Sequence, residues 1–295
     1  MKSGIFAFWI VIIPMIFMIS CNKKETTLPA NQQVDIGTHA LHIYCVGEGS
    51  PTVVLDIGIT ETYESWMPLI DSLRADTRVC TYHRAGYGKS EPGPLTRDSQ
   101  RVAQELYDLL KNAGVAGSYV LVGHSLGGLN MQVFADQYPD QTAGVILLDP
   151  PPLDWLTGKD FPELRDLFYE QTRQLTAAAE AMRNSTDPEQ VKKAGFFEMV
   201  ASENLEMMDR SAIQAAAIES FGDLPLTVIA STEPNPNFGS SAEAYQQFWI
   251  NQSENLAKKS TRGKFILAEG SSHHIHLDNP ELVLDAIHEM LTQIR

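Results

Sequence analysis

The sequence is poor in cysteine and in positive charge, and each shortage excludes a class of protein. Its 295 residues include three cysteines, with no CxxC pair or Cys–His spacing typical of structural zinc. Lysine and arginine number 22 against 37 aspartates and glutamates, so the formal net charge is -15. Because a negative surface repels a phosphate backbone, we expect no nucleic-acid partner. Hydrophobic residues make up 43%, which is enough for one well-buried core.

A long apolar run occurs near the N-terminus, at residues 5–19. It is shorter than the roughly 20 residues of a spanning helix and is typical of a secretory signal. It ends in Met18-Ile19-Ser20-Cys21, which resembles the lipobox of bacterial lipoproteins, with methionine where leucine is usual. The resemblance implies a signal peptide over residues 1–21, lipidation of Cys21, and an exported protein anchored to a membrane and facing the periplasm or cell surface. A plain cleaved signal and an uncleaved anchor are the alternatives.

The rest of the chain divides into a tether, a core and an insertion. Residues 22–33 are polar and contain Pro29, which indicates a tether over residues 22–37. Residues 38–150 and 223–295 alternate short apolar runs with amphipathic helix patterns, which predicts an α/β fold with a mostly parallel sheet flanked by helices. Residues 151–222 are rich in helix-forming residues, so we expect an inserted helical lid. The expected strands are residues 39–46, 52–56, 78–83, 119–122, 145–148, 226–230 and 264–268.

Two cysteines lie in these apolar runs. Cys45 falls within residues 39–46 and Cys80 within residues 78–83. We expect two buried thiols, although export would permit a disulfide between them.

The strongest catalytic signal is Gly123-His124-Ser125-Leu126-Gly127, a G-x-S-x-G motif. An apolar run immediately before it and a helix pattern immediately after give the strand–turn–helix setting of a nucleophile elbow. Such a turn lifts the Ser125 hydroxyl clear of the sheet, and the amides of the new helix point at the reaction centre. A glycine-rich helix-packing turn is the structural alternative.

A serine hydroxyl needs a base, and histidines cluster after the last expected strand. His273 is favoured because its loop lies at the carboxyl edge of the sheet, where ligands of open α/β sheets bind. His274 and His276 compete for the role. Three histidines could also suggest a metal, but no second acidic or histidine cluster completes a set, so we expect no metal.

The acid that orients the base has two candidates, and the oxyanion has two expected donors. Asp149 ends the run at residues 145–148, and Glu233 follows the run at residues 226–230; Asp149 is slightly favoured. The backbone amide of Leu126, next after the nucleophile, is one expected oxyanion donor. The amide of Ile59, in the loop after residues 52–56, is the other.

Together these residues resemble the α/β-hydrolase superfamily, in its lid-bearing serine esterase and peptidase-like branch, over most of the chain beyond residue 38. The family's glycine oxyanion turn, D-R-x-G-x-G-x-S, G-H-S-x-G-G and final G-H correspond to Ile57-Gly58, HRAGYGKS at residues 83–90, GHSLGG at residues 123–128, and Ser272-His273. Three positions depart from the family: Ile57 replaces a histidine, His83 replaces an aspartate, and no aspartate plainly follows residues 226–230. The last departure is why Asp149 leads Glu233.

The resemblance implies cofactor-free hydrolysis of an ester or related acyl bond of a small molecule, through an acyl-enzyme. An aminopeptidase, a lactonase or a carbon–carbon bond hydrolase would use the same groups, and a catalytically dead binding scaffold is the non-enzyme alternative. An aspartate nucleophile would have indicated dehalogenase or epoxide chemistry, and Ser125 argues against both. Aromatic side chains of the lid either line an apolar cleft or pack the lid on the sheet: Trp155, Phe161, Phe168, Tyr169, Phe196 and Phe197.

Overall fold

The computed structural model describes residues 31–153 and 160–295. The signal peptide, the lipidation candidate Cys21, most of the expected tether and Trp155 lie outside these residues. Within the described ranges, no helix combines the length and the apolar character that crossing a bilayer requires.

An eight-stranded sheet forms the centre of the molecule, in the order β1-β2-β4-β3-β5-β6-β7-β8. The first two strand pairs, β1 with β2 and β2 with β4, are antiparallel, and the other neighbours are parallel. All seven expected strands form. The strands are β1 (Asn31–Asp35), β2 (Ala40–Val46), β3 (Thr52–Asp56), β4 (Val79–Tyr82), β5 (Tyr119–His124), β6 (Thr142–Leu148), β7 (Leu226–Ser231) and β8 (Gly263–Ala268).

Strand β1 corrects the expected tether over residues 22–37, because residues 31–35 pair with β2 at the edge of the sheet. Val34 is buried in the core, whereas Asn31, Gln33 and Asp35 are exposed. An edge strand with one solvated face is mostly polar, so its composition is similar to that of a linker. The turn into β2 uses Gly37 at a φ of 95°, where glycine is favoured.

Helices cover both faces of the sheet, and the strands send alternate residues into the two layers. In β5, Leu121 belongs to one core cluster, and Val120 and Val122 belong to the other. Side-chain caps begin two of these helices: Asp98 accepts from the amide of Arg101 at 2.9 Å, and Asn279 accepts from that of Leu282 at 3.3 Å. The helices of these layers are α1 (Met67–Leu73), α2 (Ser99–Asn112), α3 (Leu126–Gln137), α7 (Ala242–Ala257), α8 (Ile275–Asp278) and α9 (Pro280–Ile294).

The insertion between β6 and β7 contains three helices among its described residues: α4 (Pro162–Arg183), α5 (Pro188–Met207) and α6 (Arg210–Ala216). Residues 184–187 separate α4 from α5, and α4 extends to Arg183 because good helix formers continue to that residue. Met208 and Asp209 separate α5 from α6. The amide of Asn204 joins α5 to α4 by donating to Thr172 Oγ1 at 2.8 Å.

A disulfide joins Cys45 to Cys80, so the expectation of two free buried thiols was wrong. The two residues lie directly opposite each other in the antiparallel pair of β2 and β4, with their Cα atoms 4.1 Å apart. The spacing of cysteines along a chain does not reveal which strands are neighbours, and strand register alone brought these two side chains together.

Candidate active site

Ser125 occupies a sharp turn between β5 and α3, as the motif predicted. Its backbone has φ 51° and ψ −122°, a conformation that is rare for a residue with a side chain and is characteristic of functional turns. A Cβ at Gly123 would lie 2.4 Å from the carbonyl oxygen of Gly127, so glycine is required there. The amide of Ser125 donates to the carbonyl of Leu148 at 3.0 Å, which fixes the turn against β6.

His273 lies on the loop after β8 and contacts one of the two candidate acids. Its Nδ1 is 2.7 Å from Oδ2 of Asp149, at the carboxyl end of β6. The amide and hydroxyl of Ser231 each donate to Asp149 at 2.9 Å. Asp149 is therefore held by three contacts, and a ring whose Nδ1 faces it directs Nε2 to the opposite side. Ser125, Asp149 and His273 line one cavity.

Glu233, the alternative acid, lines the same cavity but has a different setting. Its side chain is exposed, and its backbone amide donates to the carbonyl of Ser271 at 3.0 Å. Of the two carboxylates that the sequence offered, the structure brings Asp149 to the imidazole of His273. Ser231, which holds that carboxylate, was missed. No sequence signal pointed to it, because Ser231 lies beside Asp149 only through the pairing of β6 with β7 in the folded sheet.

The competing histidines lie around Glu61. His274 Nε2 is 3.4 Å from Oε1 of Glu61 and is half exposed. His276 is 3% exposed, with its ring stacked on Trp66 at 4.2 Å between centroids. Burial, together with the neighbouring His124, lowers the pKa of His276 to about 3. His276 is thus a neutral packing residue, and His273 is the histidine that contacts Asp149.

His124, the second residue of the motif, contacts the loop that carries His273. It is fully buried, with Nδ1 3.2 Å from Glu61 Oε1 and Nε2 2.8 Å from the backbone oxygen of His273. Burial alone would raise the pKa of Glu61, but the hydrogen bond and charge of His124 outweigh it and lower that pKa to about 2. Glu61 and His124 were missed as a pair, because nothing in the sequence links residues 63 positions apart.

The two expected oxyanion donors, the amides of Ile59 and Leu126, belong to separate segments of the chain. Leu126 is the first residue of α3, and amides of a helix's first turn have no partner within the helix. Ile59 follows the end of β3 and lines the cavity with Ser125. Both amides therefore belong to segments at the carboxyl edge of the sheet, where His273 also lies.

The cavity measures about 390 Å³ and has one largely apolar wall. The insertion contributes Phe168 and Met207, and α7 with its preceding loop contributes Phe238, Tyr245 and Trp249. Other aromatic residues of the insertion pack on neighbours instead: Phe161 lies 5.3 Å from the ring of Tyr245, and Phe196 lies 5.1 Å from that of Tyr87. Helix α7 was not predicted. Among residues 31–153 and 160–295, no three side chains are grouped to hold a metal ion.

The family model described as "Alpha/beta hydrolase family" matches residues 58–286, more than half of the chain. The chain belongs to this family. The chain is 28% identical over 244 residues to an uncharacterized protein of Bacillus subtilis, YqjL, covering 83% of this chain and 85% of that protein. It is 23% identical over 273 residues to a 2-(acetamidomethylene)succinate hydrolase of Mesorhizobium japonicum, covering 87% and 93%. Two other curated relatives are longer: the alignments cover 92% and 91% of this chain but 52% and 44% of those proteins.

Solved structures show the same fold. A thermophilic esterase from Thermogutta terrifontis aligns with a TM-score of 0.68 and 21% identity, covering 90% of the hydrolase and 99% of the esterase. The α/β-hydrolase fold expected from the motifs is thereby confirmed.

Proposed function

We propose that the hydrolase cleaves an ester or related acyl bond of a small molecule through an acyl-enzyme on Ser125. The observation that carries the proposal is the 2.7 Å contact between His273 and Asp149, in a cavity that Ser125 also lines. A nucleophile at a strained elbow, a base and an orienting acid are the three groups that acyl transfer by serine requires.

In this mechanism His273 accepts the hydroxyl proton through Nε2 while Oγ of Ser125 attacks the acyl carbon. The carbonyl electron pair moves onto oxygen, and the amides of Ile59 and Leu126 donate to that oxyanion. Asp149 stabilises the imidazolium. The tetrahedral intermediate collapses, the alcohol leaves with the proton from His273, and the acyl group stays on Ser125. Water then attacks the acyl-enzyme with the same proton transfers, releasing the acid and restoring the hydroxyl.

The apolar wall favours a compact apolar acyl or alcohol group. Phe168, Met207 and Trp249 offer hydrophobic contact but few hydrogen bonds, and a cavity of about 390 Å³ accepts a group of small-molecule size. The insertion at residues 151–222 acts as a lid in this proposal, since it supplies part of that wall.

One observation favours a second candidate, an aminopeptidase or another enzyme acting on substrates with a free amine. Such substrates need an acidic group in the cavity, and Glu233 is one of its lining residues, as are the aromatic residues Tyr245 and Trp249. A carboxylate with aromatic faces suits a cationic group. Comparing neutral esters with ammonium-bearing esters and amides, on the wild type and on Glu233→Gln, separates the two candidates.

The test of the proposal is turnover of p-nitrophenyl esters of graded acyl length against p-nitroanilides. The ester should be hydrolysed, and Ser125→Ala and His273→Ala should each lower kcat by at least about 1,000-fold. A fluorophosphonate should label the wild type and not Ser125→Ala. Full turnover by Ser125→Ala would overturn the proposal, and an unlabelled wild type would favour a binding scaffold.

We also propose that the hydrolase is exported and anchored through a lipid on Cys21. The lipobox-like Met18-Ile19-Ser20-Cys21 supports this, and so does the Cys45–Cys80 disulfide, because disulfides persist in oxidising compartments. The membrane would then be a partner through this anchor, and the substrate would be a small molecule reached from outside the cytoplasm.

A further inference from the structure

A buried arginine lies beneath the loop that carries Ile59. Arg84 is 1% exposed and uses all five of its N–H groups. Nη1 donates to Oδ1 of Asp56 at 2.8 Å and to the carbonyl of Ile57 at 2.7 Å. Nη2 donates to the carbonyl of Gly58 at 3.0 Å and to Oε2 of Glu203 at 3.2 Å, and Nε donates to Oε1 of Glu203 at 2.9 Å.

The bond to Gly58 determines which way the Ile59 amide points. The carbonyl of Gly58 and the N–H of Ile59 belong to one trans peptide unit, in which the two groups point in opposite directions. Because the carbonyl faces Arg84 in the interior, the N–H is directed away from Arg84. Ile59 lines the cavity together with Ser125, so this direction suits the role of oxyanion donor.

Glu203 holds this arrangement and belongs to α5 of the insertion. Its side chain is fully buried and receives the hydroxyl of Tyr87 at 2.7 Å in addition to Arg84. The same Tyr87 oxygen accepts from the amide of Thr60 at 3.4 Å. Residues 57, 58 and 60 are therefore each held by Arg84 or Tyr87, and both of those side chains are held by Glu203.

The other side of Arg84 is tied to the nucleophile's helix. Asp56 accepts from Nδ2 of Asn130, on α3, at 2.8 Å, as well as from Arg84. Burial raises the pKa of Asp56, and Arg84 and Asn130 oppose that rise. Arg84 thus keeps one carboxylate partner when Glu203 is neutralised, so a Glu203 variant perturbs the loop while leaving the arginine paired.

We propose that Glu203 is a positioning residue for the oxyanion site: through Arg84 and Tyr87 it fixes the Ile59 amide in its donating direction. The inference rests on the proposed function, because it assigns a role within that acyl transfer. It makes the insertion part of the catalytic geometry, in addition to its place in the cavity wall. Neither Arg84 nor Glu203 touches the substrate in this account.

The test compares Glu203→Gln with Glu206→Gln, a control on the same helix. Glu206 is also buried, and its partner is Arg210 at 3.6 Å. On a p-nitrophenyl ester, Glu203→Gln should lower kcat by about 10- to 100-fold with KM within threefold, because full loss of one oxyanion donor costs about 100- to 1,000-fold. Glu206→Gln should keep kcat within twofold. Fluorophosphonate titration gives the active-site concentration for both.

A thionoester supplies a readout that a purely structural role would not move. Sulfur accepts hydrogen bonds weakly, so a thionoester profits less from the oxyanion amides than its oxoester does. The ratio of kcat/KM for oxoester over thionoester should fall in Glu203→Gln by about the same factor as kcat. In Glu206→Gln the ratio should equal that of the wild type.

The outcomes separate failure of this inference from failure of the proposed function. A wild type that neither labels at Ser125 nor turns over esters contradicts the proposed function itself. If the wild type labels at Ser125 and turns over esters, but Glu203→Gln has the wild-type kcat and the wild-type oxoester-to-thionoester ratio, only the inference is overturned. If Glu203→Gln does not fold, Tyr87→Phe is the second variant, because it removes the hydroxyl that lies between Glu203 and Thr60. Tyr87→Phe should lower kcat and the oxoester-to-thionoester ratio of kcat/KM at least threefold each. If neither changes, the inference is overturned.

Discussion

At the scale of single residues, the contact between Asp149 and His273 is where the structure adds most to the sequence. Asp149 is 2% exposed and receives two bonds from Ser231 besides its contact with His273. An acid held in this way fixes the tautomer and orientation of the imidazole before a substrate binds. That Asp149, and not Glu233, contacts His273 depends on tertiary packing, which single-sequence patterns leave open.

Replacing the acid should therefore separate the two candidates. We expect Asp149→Asn to lower kcat by about 10,000-fold on a neutral ester, because the amide presents the wrong hydrogen-bonding partner to Nδ1. Glu233→Gln should lower it by less than tenfold. Steady-state kinetics on a p-nitrophenyl ester measures both, and the reverse order of effects would assign the acid to Glu233.

A second residue-scale prediction concerns pH and stability. Burial lowers the pKa of His276 from 6.5 to about 3, with His124, His274, His273 and Glu61 as its titratable neighbours. Between pH 6.5 and about pH 3, His276 binds a proton in the unfolded chain but not in the folded chain. This group therefore leaves the free energy of unfolding unchanged above pH 6.5 and lowers it as the pH falls below 6.5. The contribution of one such proton is about 1.4 kcal/mol per pH unit.

His276→Phe should keep the stacking on Trp66 and remove that proton. Urea unfolding at pH 7, 6 and 5 should give a smaller loss of stability in the variant than in the wild type. The difference between the two proteins isolates His276 from other groups with the same sign, such as His42, whose pKa burial lowers to about 4. Equal losses in the two proteins would mean that His276 is charged in the folded state.

At the scale of elements, the disulfide ties β2 to β4 across a sequence separation of 35 residues. A cross-link of that span limits the unfolded chain and typically adds about 2–4 kcal/mol to the free energy of unfolding. Reductant should therefore lower the urea midpoint of the wild type. The urea midpoint of a Cys45→Ala/Cys80→Ala variant should be lower than that of the oxidised wild type and should not change with reductant. A wild-type midpoint that reductant leaves unchanged would contradict the disulfide.

The elements also show what the sequence could predict. The central strands were predicted because burial on both faces requires continuous apolar runs, as in β3, β5 and β7. Strand β1 was missed because its outer face is polar. Ser125, His273 and the amides of Ile59 and Leu126 could be proposed for their roles because their loops follow particular strands. Arg84 and Glu203 could not be paired in advance, because 119 residues separate them and tertiary packing alone brings them together.

At the scale of the whole molecule, the proposed anchor makes a prediction about where the protein is found. Lipidation adds acyl chains whose buried methylenes hold a protein at a membrane. Wild-type protein expressed in a bacterial host should partition into the detergent phase of a Triton X-114 extract, and Cys21→Ser should move it to the aqueous phase. Detergent partitioning by both forms would indicate an uncleaved apolar anchor, and aqueous partitioning by both would indicate a plain cleaved signal.

The central claim concerns a covalent bond to Ser125 that forms and breaks in each turnover. The most direct measurement is acid quenching of the hydrolase a few milliseconds after mixing with excess p-nitrophenyl acetate, followed by mass spectrometry of its peptides. The account predicts an added acetyl group on Ser125, in an amount that matches the initial burst of p-nitrophenol, and no acetyl on that peptide in Ser125→Ala. Turnover of the ester at the wild-type rate by Ser125→Ala, or acetylation at another residue in its place, would contradict the account.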